Sequence, residues 1–320
     1  MADEIRIGYL TTLYHTSLIL RGSGRVDEDL GLNTSWKRFP NGPSMIEAFE
    51  RSDLDLGYMG LPPAMIGICH GLDIRCVAGG HMEGTVLIGP KGFNAGGEMR
   101  VVLAQFKGRC IGTPRRGTIH DVILRKLLSE SGLSSMAEVR NFDYADFIVD
   151  AMADGEIDGG CGTPPLAVLA RRQIGAKILI PPSRMWPFNP SYGILASERL
   201  IQDQGPDLEG FIRLHEEACN LIRERPKKAA ELVHEATGII EEDFALEVFG
   251  ISPKYCASLP GEYIRSSMAF VQVLMDMGYI TRPLDKDEVF YTRAIEKVHP
   301  AQDHYGDPGK LRQVPGDLHT

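Results

Sequence analysis

The chain has 320 residues, of which 43% are hydrophobic and 24% charged, and its formal net charge is -9. This length predicts about two domains at ~150 residues each, and the composition is typical of a globular protein rather than a disordered or fibrous one. The acidic balance argues against nucleic acid as a partner, because phosphate binding requires a basic face.

The amino-terminal residues contain neither the basic segment nor the apolar segment of a signal peptide. No apolar run approaches the roughly 18 residues that a membrane span needs. Two expectations follow for location: a cytoplasmic protein, or an exported one whose signal is absent from this chain.

Strands and helices alternate in the first part of the chain. The pattern predicts strands at 4–9, 33–39, 54–59 and 74–78, a helix that begins at 17, and helices at 44–51 and 62–69. Prolines 62 and 63 suit the first turn of the last helix, where proline is tolerated. Such alternation is typical of a parallel sheet covered by helices on both faces.

A second copy of this pattern follows roughly a hundred residues later, which predicts two lobes of the same build. Asp53-Leu-Asp matches Glu156-Ile-Asp, and each is followed by a glycine turn, two prolines and an apolar helix start. The second copy predicts strands at 109–113, 138–142, 156–160 and 176–180, and helices at 118–130, 145–153 and 164–172.

From about Asp207 the pattern indicates helices alone. They are predicted at 208–223, 227–236, 241–249, 261–277 and 286–297. Segments near 88 and 194 are expected to join the lobes. Lobe one would then comprise 1–87 with 195–320, and lobe two 88–194.

Helix starts at the carboxyl ends of the predicted parallel strands define a candidate cleft. They fall at 11–17 and 59–63 in lobe one, and at 115–121 and 162–165 in lobe two. A helix amino terminus offers unpaired N–H groups and a partial positive charge. Four such termini facing one another would suit a small anionic or polar ligand.

The predicted ligand contacts lie at these helix starts and at the two connections between the lobes. They are Thr11, Thr12, His15, Met59, Gly60, Leu61, His81, Arg115, Thr118, Ile119, His120, Thr163, Trp186 and Asn189. Two alternatives stay open. Thr118 could be a helix N-cap beside solvated arginines, and Trp186 could pack in the core rather than stack on a ligand.

The sequence gives little indication of catalysis. The sequence contains no nucleophile elbow, zinc-protease helix or phosphate loop, and we predict no catalytic residue, no metal site and no cofactor. Cys161, in the predicted cleft, is the one residue that could act as a nucleophile. The six cysteines form no CxxC or zinc spacing, which favours buried thiols.

Four runs resemble the substrate-binding proteins of nitrate, sulfonate and taurine ABC importers, a group that includes the thiamine-pyrimidine-precursor binders. The runs are 42–64, 71–81, 106–114 and 154–159. The resemblance covers roughly residues 4 to 295. It implies an α/β type II periplasmic-binding-protein fold, hinge closure on a small anionic or zwitterionic molecule, an ABC permease as partner, a monomer and a site outside the cytoplasm.

The resemblance departs at Cys161-Gly-Thr-Pro164, where many members place an aromatic and an acidic residue. The usual ligand contacts of the family are therefore not all expected here. Because fold alone does not determine function, a cytoplasmic enzyme or sensor on the same fold, acting on a small aromatic or pyrimidine-type metabolite, is the alternative.

Overall fold

Two five-stranded sheets organise the protein in this computed structural model, which describes residues 4–10, 12–186 and 188–306. In chain order the strands are β1 Ile5–Leu10, β2 Thr34–Phe39, β3 Leu56–Met59, β4 Ile74–Met82, β5 Val86–Gly89, β6 Cys110–Pro114, β7 Glu138–Phe142, β8 Gly159–Gly162, β9 Lys177–Ile180 and β10 Pro190–Ser197. The first sheet has the order β2-β1-β3-β10-β4, and the second has the order β7-β6-β8-β5-β9.

The two sheets have the same topology. In the first, β2, β1 and β3 are parallel, and β10 runs antiparallel to both of its neighbours, β3 and β4. In the second, β7, β6 and β8 are parallel, and β5 runs antiparallel to β8 and β9. Each sheet is therefore mainly parallel with one opposed strand, and the predicted fold class is confirmed.

The chain passes from one sheet to the other twice, between β4 and β5 and again between β9 and β10. The opposed strand of each sheet is the one that directly follows a passage: β5 in the second sheet and β10 in the first. The division into lobes at 88 and 194 stays a prediction.

Helices cover both sheets. They are α1 Ser17–Ser23, α2 Arg25–Leu30, α3 Gly42–Glu50, α4 Leu61–Cys69, α5 Met99–Ala104, α6 Ile119–Glu130, α7 Asp146–Ala153, α8 Pro164–Ile174, α9 Pro182–Met185, α10 Glu198–Asp203, α11 Gly205–Glu224, α12 Pro226–Thr237, α13 Glu242–Ile251, α14 Gly261–Asp276, α15 Lys286–Val289 and α16 Arg293–Val298. Among the described residues, no helix has both the length and the apolar composition that a bilayer crossing requires.

The predicted helix at 286–297 is wrong as one continuous element. The chain is extended between α15 and α16, where Phe290 forms a parallel bridge with Cys76 of β4. The Tyr291 N–H donates to the Cys76 carbonyl at 2.9 Å. Burial of the Phe290 side chain adds apolar stabilisation, so pairing with the edge strand replaces one helical turn.

The outer edge of β4 is covered by a second segment, 254–257. The Gly79 N–H donates to the Ala257 carbonyl at 2.7 Å, and the Cys256 N–H donates to the Gly80 carbonyl at 3.2 Å. This pairing satisfies backbone groups that an edge strand would otherwise leave exposed. It also fixes residues 254–257 beside the passage from β4 to β5.

Candidate ligand-binding cleft

A cavity of about 50 Å³ lies where the carboxyl ends of the parallel strands of both sheets meet. Its lining comes from the ends of β1 and β6 and from the first residues of four helices. The lining residues are Leu10, Thr12, Tyr14, His15, Pro40, Asn41, Gly42, Gly60, Pro63, Pro114, Thr118, Ile119, His120, Ala145, Thr163 and Ser191.

The N-cap residues of α3, α4, α6 and α8 all line this cavity. They are Asn41, Gly60, Thr118 and Thr163. Two of these helices belong to each sheet, so four helix starts surround one small space. Proline in the first turn of α3, α4 and α8 removes some of their N–H donors, and the Asn41 and Thr118 side chains each accept from one N–H of their own helix, so the remaining N–H groups are the available donors. Their summed partial charge is positive and favours an anion or the negative end of a dipole.

Helix starts from the two sheets are in contact across the cleft. A Cβ atom at Gly60 would lie 3.1 Å from Ile119 Cγ2 and 3.4 Å from the Ser191 carbonyl oxygen. The backbone of Gly60 has φ -64° and ψ 152°, which any residue can adopt. A side chain here would press on Ile119, so glycine serves close approach at this position rather than backbone conformation.

Two buried polar atoms of the lining residues lack a hydrogen-bond partner among the described residues. They are Oγ1 of Thr12 and Nδ1 of His15. A buried polar atom without a partner costs about 1–3 kcal/mol, so such atoms are rare in folded proteins. A ligand in the cavity that bonded to both atoms would remove this cost.

His15 is held as a neutral imidazole. Its ring lies 4.0 Å from the ring of Tyr192 and 4.7 Å from that of Tyr14, centroid to centroid. Burial lowers the pKa of His15 well below its usual value, and the neighbouring His81, along with two further histidines, lowers it further. The side chain therefore offers hydrogen bonding without a charge at neutral pH.

His120 and Tyr14 are fixed by polar neighbours. His120 Nδ1 shares a hydrogen bond of 2.9 Å with Thr85 Oγ1, and the Tyr14 hydroxyl shares one of 2.9 Å with Ser191 Oγ. Burial lowers the pKa of His120 to about 4. These side chains form a preorganised, uncharged wall.

Thr118 is the N-cap of α6, as in the alternative that the sequence left open. Its Oγ1 accepts a hydrogen bond from the Asp121 N–H at 3.5 Å, and the residue is 6% exposed at the cavity. Thr163 also stands at an N-cap position, but its side chain makes no capping hydrogen bond. The hydroxyl of Thr163 is therefore not committed to its own helix.

Arg115 points away from the cavity. Its guanidinium donates to Ser44 Oγ at 3.0 Å and to Glu47 Oε1 at 3.0 Å, both on α3 of the first sheet. The residues that line the cavity carry no charged side chain. The electrostatic character of the cavity therefore comes from helix termini rather than from a counter-ion.

Trp186 also lies outside the cavity lining. Its ring stacks on Phe270 of α14 with centroids 4.1 Å apart, and its Nε1–H donates to Ser266 Oγ at 2.9 Å. It is 5% exposed, so the structure favours the packing interpretation of this residue.

The other described residues of the predicted set do not line the cavity. Met59 and Leu61 are fully buried, and His81 Nε2–H donates to the Ser252 carbonyl at 2.6 Å. Burial lowers the pKa of His81 to about 3. The Asn189 amide is buried and has no partner within the described part of the chain, and Thr11 lies outside the described residues.

Cys161 is fully buried and does not line the cavity. Its thiol donates to the His120 carbonyl at 3.7 Å, and burial raises its pKa. A neutral thiol in this position is a poor nucleophile. All six cysteines are free thiols, and Cys69 is the least buried of them.

Several larger depressions lie elsewhere among the described residues, including two of about 700 Å³ or more. One of about 780 Å³ is at the amino ends of the first sheet's strands, where Asp55 is already paired with Arg6 and Arg199. The other, of about 700 Å³, is a mostly apolar groove that shares Leu10 with the cavity. We call it the apolar groove.

Asn41, Tyr14 and Ser191 line the cavity although sequence reasoning did not select them. Asn41 had a detectable signal, because Asn-Gly-Pro after a strand is a typical helix start at the carboxyl edge of a sheet. Its Oδ1 accepts from the Ser44 N–H at 3.0 Å, and its Nδ2 donates to the Asp143 carbonyl at 3.1 Å.

Comparison with known proteins gives three findings. A family model described as the NMT1-like family matches residues 2–236. A protein of Brucella abortus (strain 2308) with the provisional name of a binding protein is 26% identical over 240 residues, which are 72% of each chain.

Solved structures resemble this one over nearly its whole length. The periplasmic aliphatic sulphonate binding protein of Escherichia coli matches with a TM-score of 0.77 and 17% identity, over 91% of this chain and 93% of the other. The periplasmic nitrate-binding protein of Synechocystis PCC 6803 matches with a TM-score of 0.74 and 10% identity, over 97% and 92%. At these identities the similarity establishes the two-lobed fold alone.

Proposed function

The chain belongs to the NMT1-like family, and from this premise we propose that it is a solute-binding protein that holds a small anionic or zwitterionic ligand between its lobes for uptake by an ABC transporter. The observation that carries the proposal is the convergence of four helix N-caps on one uncharged cavity. The named relative and the solved structures of this fold are binding proteins, which supports binding rather than catalysis.

The cavity favours a compact anionic group. A volume of about 50 Å³ accommodates only a few non-hydrogen atoms, since one water occupies about 30 Å³ of liquid. Nitrate, a carboxylate or a sulfonate head group is of this size. Helix N–H groups would hold its oxygens, and Thr12 Oγ1 and His15 Nδ1 would supply the remaining hydrogen bonds.

We expect the tail of a ligand longer than its head group to extend towards the apolar groove. Leu10 lines both spaces, and Leu13, Leu169 and Phe244 add apolar surface to the groove. Each buried methylene contributes about 0.8 kcal/mol. Affinity for alkylsulfonates or alkylcarboxylates should therefore rise with chain length if the groove takes the tail, and fall if it does not.

The proposal extends to partners and location. An ABC permease would receive the ligand from a monomer that acts outside the cytoplasm, as the periplasmic sulphonate- and nitrate-binding proteins of the same fold suggest. Retention of the ligand in chemically unchanged form distinguishes this role from an enzyme on the same fold.

Native mass spectrometry of gently purified protein, followed by extraction, is the first test. A thermal-shift screen of nitrate, carboxylates and sulfonates of increasing chain length comes next. One compound bound per chain, with a raised Tm and no chemical conversion, supports the proposal. The absence of any bound compound and of any Tm shift across the screen, or conversion of the compound, contradicts it.

A further inference from the structure

Four side chains with metal-binding atoms meet at the covered edge of β4, outside the cleft. Glu216 comes from α11, Cys256 from the segment that pairs with β4, and His299 and His304 from the chain after α16. Their ligand atoms all lie within 4.8 Å of one another. We propose that these four residues bind a zinc-like divalent cation, and we call them the Cys256 site.

The distances suit one tetrahedral ion. His299 Nε2 and His304 Nδ1 are 3.4 Å apart, and Cys256 Sγ lies 3.6 and 3.7 Å from them. Glu216 Oε1 lies 3.7 Å from His299 Nε2 and 3.5 Å from His304 Nδ1. Zinc bonds of about 2.0–2.3 Å in a tetrahedron require ligand separations of about 3.3–3.6 Å, so small side-chain movements would place an ion at the centre.

Two neighbouring hydrogen bonds orient the ligands. Nδ1 of His299 lies 3.2 Å from the Ala301 carbonyl, and a proton on Nδ1 directs the Nε2 lone pair into the site. The Ala257 N–H donates to Glu216 Oε2 at 2.6 Å and leaves Oε1 for the ion. Metal-binding histidines and carboxylates in proteins usually have such outer partners.

The donor set identifies the class of cation. One sulfur, two imidazole nitrogens and one carboxylate oxygen suit Zn²⁺ and related transition metals rather than Mg²⁺ or Ca²⁺. A thiolate and a carboxylate together balance a divalent charge. Four protein ligands leave no open position, so the site is structural.

The guanidinium of Arg223 provides the positive charge beside these ligand atoms in the structure. Its Nη2 donates to His304 Nδ1 at 2.9 Å and to Glu216 Oε1 at 3.2 Å, and its Nη1 donates to the Tyr255 carbonyl at 2.5 Å. Metal binding requires Nη2 to withdraw from both His304 Nδ1 and Glu216 Oε1, while Nη1 keeps its carbonyl partner. The arginine therefore supplies in the metal-free form the charge that an ion supplies in the bound form.

The ion would join three separate segments of the chain. Glu216 belongs to a long buried helix, Cys256 to the segment that covers β4, and the histidines to residues 299–306. The Tyr305 hydroxyl already donates towards the carbonyls of Cys256 and Ser258, at 2.5 and 3.0 Å. The side chain of His304 is 39% exposed, which gives the ion a path from solvent.

The test uses the full chain, zinc and two pairs of variants. Metal content after dialysis and Zn²⁺ titration against a competing chelator should show one ion per chain. Because loss of an outer partner alone weakens metal affinity by about 10- to 100-fold, Cys256→Ser and His299→Ala should weaken it by at least about 100-fold. Cys69→Ser and His70→Ala, outside the site, should retain wild-type affinity.

Zn²⁺ should raise the Tm of the wild type and of the two controls, and leave that of the site variants unchanged. Should the buried substitutions prevent folding, His304→Ala removes a half-exposed ligand instead. Co²⁺ bound to the wild type should show tetrahedral d–d absorption and a thiolate charge-transfer band. Metal binding below one ion per chain, equal affinity in site and control variants, or a Co²⁺ spectrum without thiolate would each overturn the proposal.

Discussion

Thr12 Oγ1 and His15 Nδ1 combine burial with a missing partner, and both belong to lining residues of the candidate cavity. We propose that both atoms contact the ligand. Their missing hydrogen bonds then cost the unliganded protein about 1–3 kcal/mol each, and ligand binding recovers this cost. Stability and affinity should therefore respond in opposite directions to the same substitution.

Thr12→Val tests this opposition. Removal of the hydroxyl should leave the unliganded Tm equal or higher, and should weaken ligand binding by about 1–3 kcal/mol, as measured by calorimetry. Thr113→Val is the matched control, because Thr113 Oγ1 is also buried without a partner but does not line the cavity. Equal affinity in Thr12→Val and the control would contradict a role for Thr12.

Acid should destabilise the protein through its buried histidines. Burial lowers the pKa of His15 well below its usual value, that of His81 to about 3, and those of His120 and His215 to about 4. The unfolded chain, with histidine pKa values near about 6.5, binds more protons than the folded chain below that pH. The contribution of these neutral histidines to the free energy of unfolding should be fully present above pH ~6.5. It should decrease as the pH falls towards ~4.

Urea unfolding between pH 8 and 5 measures this dependence. Each buried histidine contributes up to about 1.4 kcal/mol per pH unit below pH ~6.5. His120→Gln should reduce the slope, while His70→Ala, at an exposed position, should leave it unchanged. A free energy of unfolding that is flat from pH 7 to 5 would contradict neutral burial of these side chains.

At the residue scale, predictability depended on local signals. Gly60, Thr118 and Thr163 could be selected because helix starts after strands have characteristic sequences. Ser191 and the ligands of the Cys256 site carry no such signal. Glu216, Cys256, His299 and His304 come from segments far apart in the chain, and only tertiary packing brings their atoms together.

Among the elements, the amino termini of α4 and α6 are in contact across the cleft. Gly60 lets the first turn of α4 rest against Ile119 of α6. A larger side chain at this position should act as a wedge in the cleft without straining its own backbone.

Gly60→Val should therefore prevent full closure. We expect a weaker ligand affinity and a larger radius of gyration in the presence of ligand, measured by small-angle scattering. Gly250→Val is the control, because Gly250 is exposed on α13 and a Cβ there meets nothing within 4 Å. Ligand-dependent compaction equal to that of the wild type would show that this contact does not limit closure.

Most strands and long helices could be predicted because their periodicity is strong. The failure at 286–297 has a tertiary cause, since pairing of Phe290 with β4 overrides a sequence that is compatible with helix. The short helices α2, α5, α9 and α10 were not predicted. Helices of one or two turns contain too few residues for a clear apolar stripe.

On the scale of the whole molecule, ion pairs join two halves around the cleft. One half is the first sheet with its helices, and the other is the second sheet with its helices. Arg115, beside the second sheet, contacts Ser44 and Glu47 on α3 of the first. Arg172 of α8 contacts Asp243 of α13 at 2.9 Å. Hinge opening at the cleft would break these contacts, so we expect them to favour the closed arrangement.

Arg115→Ala should shift the protein towards an open arrangement. An exposed ion pair contributes about 0.2–1 kcal/mol, so ligand affinity should decrease by at most about 5-fold, and the wild-type advantage should shrink at high salt. Arg51→Ala breaks the Arg51–Asp53 pair within one half and serves as the control. Calorimetry at two salt concentrations measures both variants. Equal losses in the two variants would argue against Arg115 as a contact that favours closure.

The position of β10 has a consequence for biosynthesis. β10 lies between β3 and β4 and pairs with both, although it is the last strand among the described residues. The second sheet, by contrast, has all its strands once Ile180 has been made. On the ribosome, the nascent chain therefore contains every described strand of the second sheet before it contains β10. During that time β4 lacks its neighbouring strand in the first sheet.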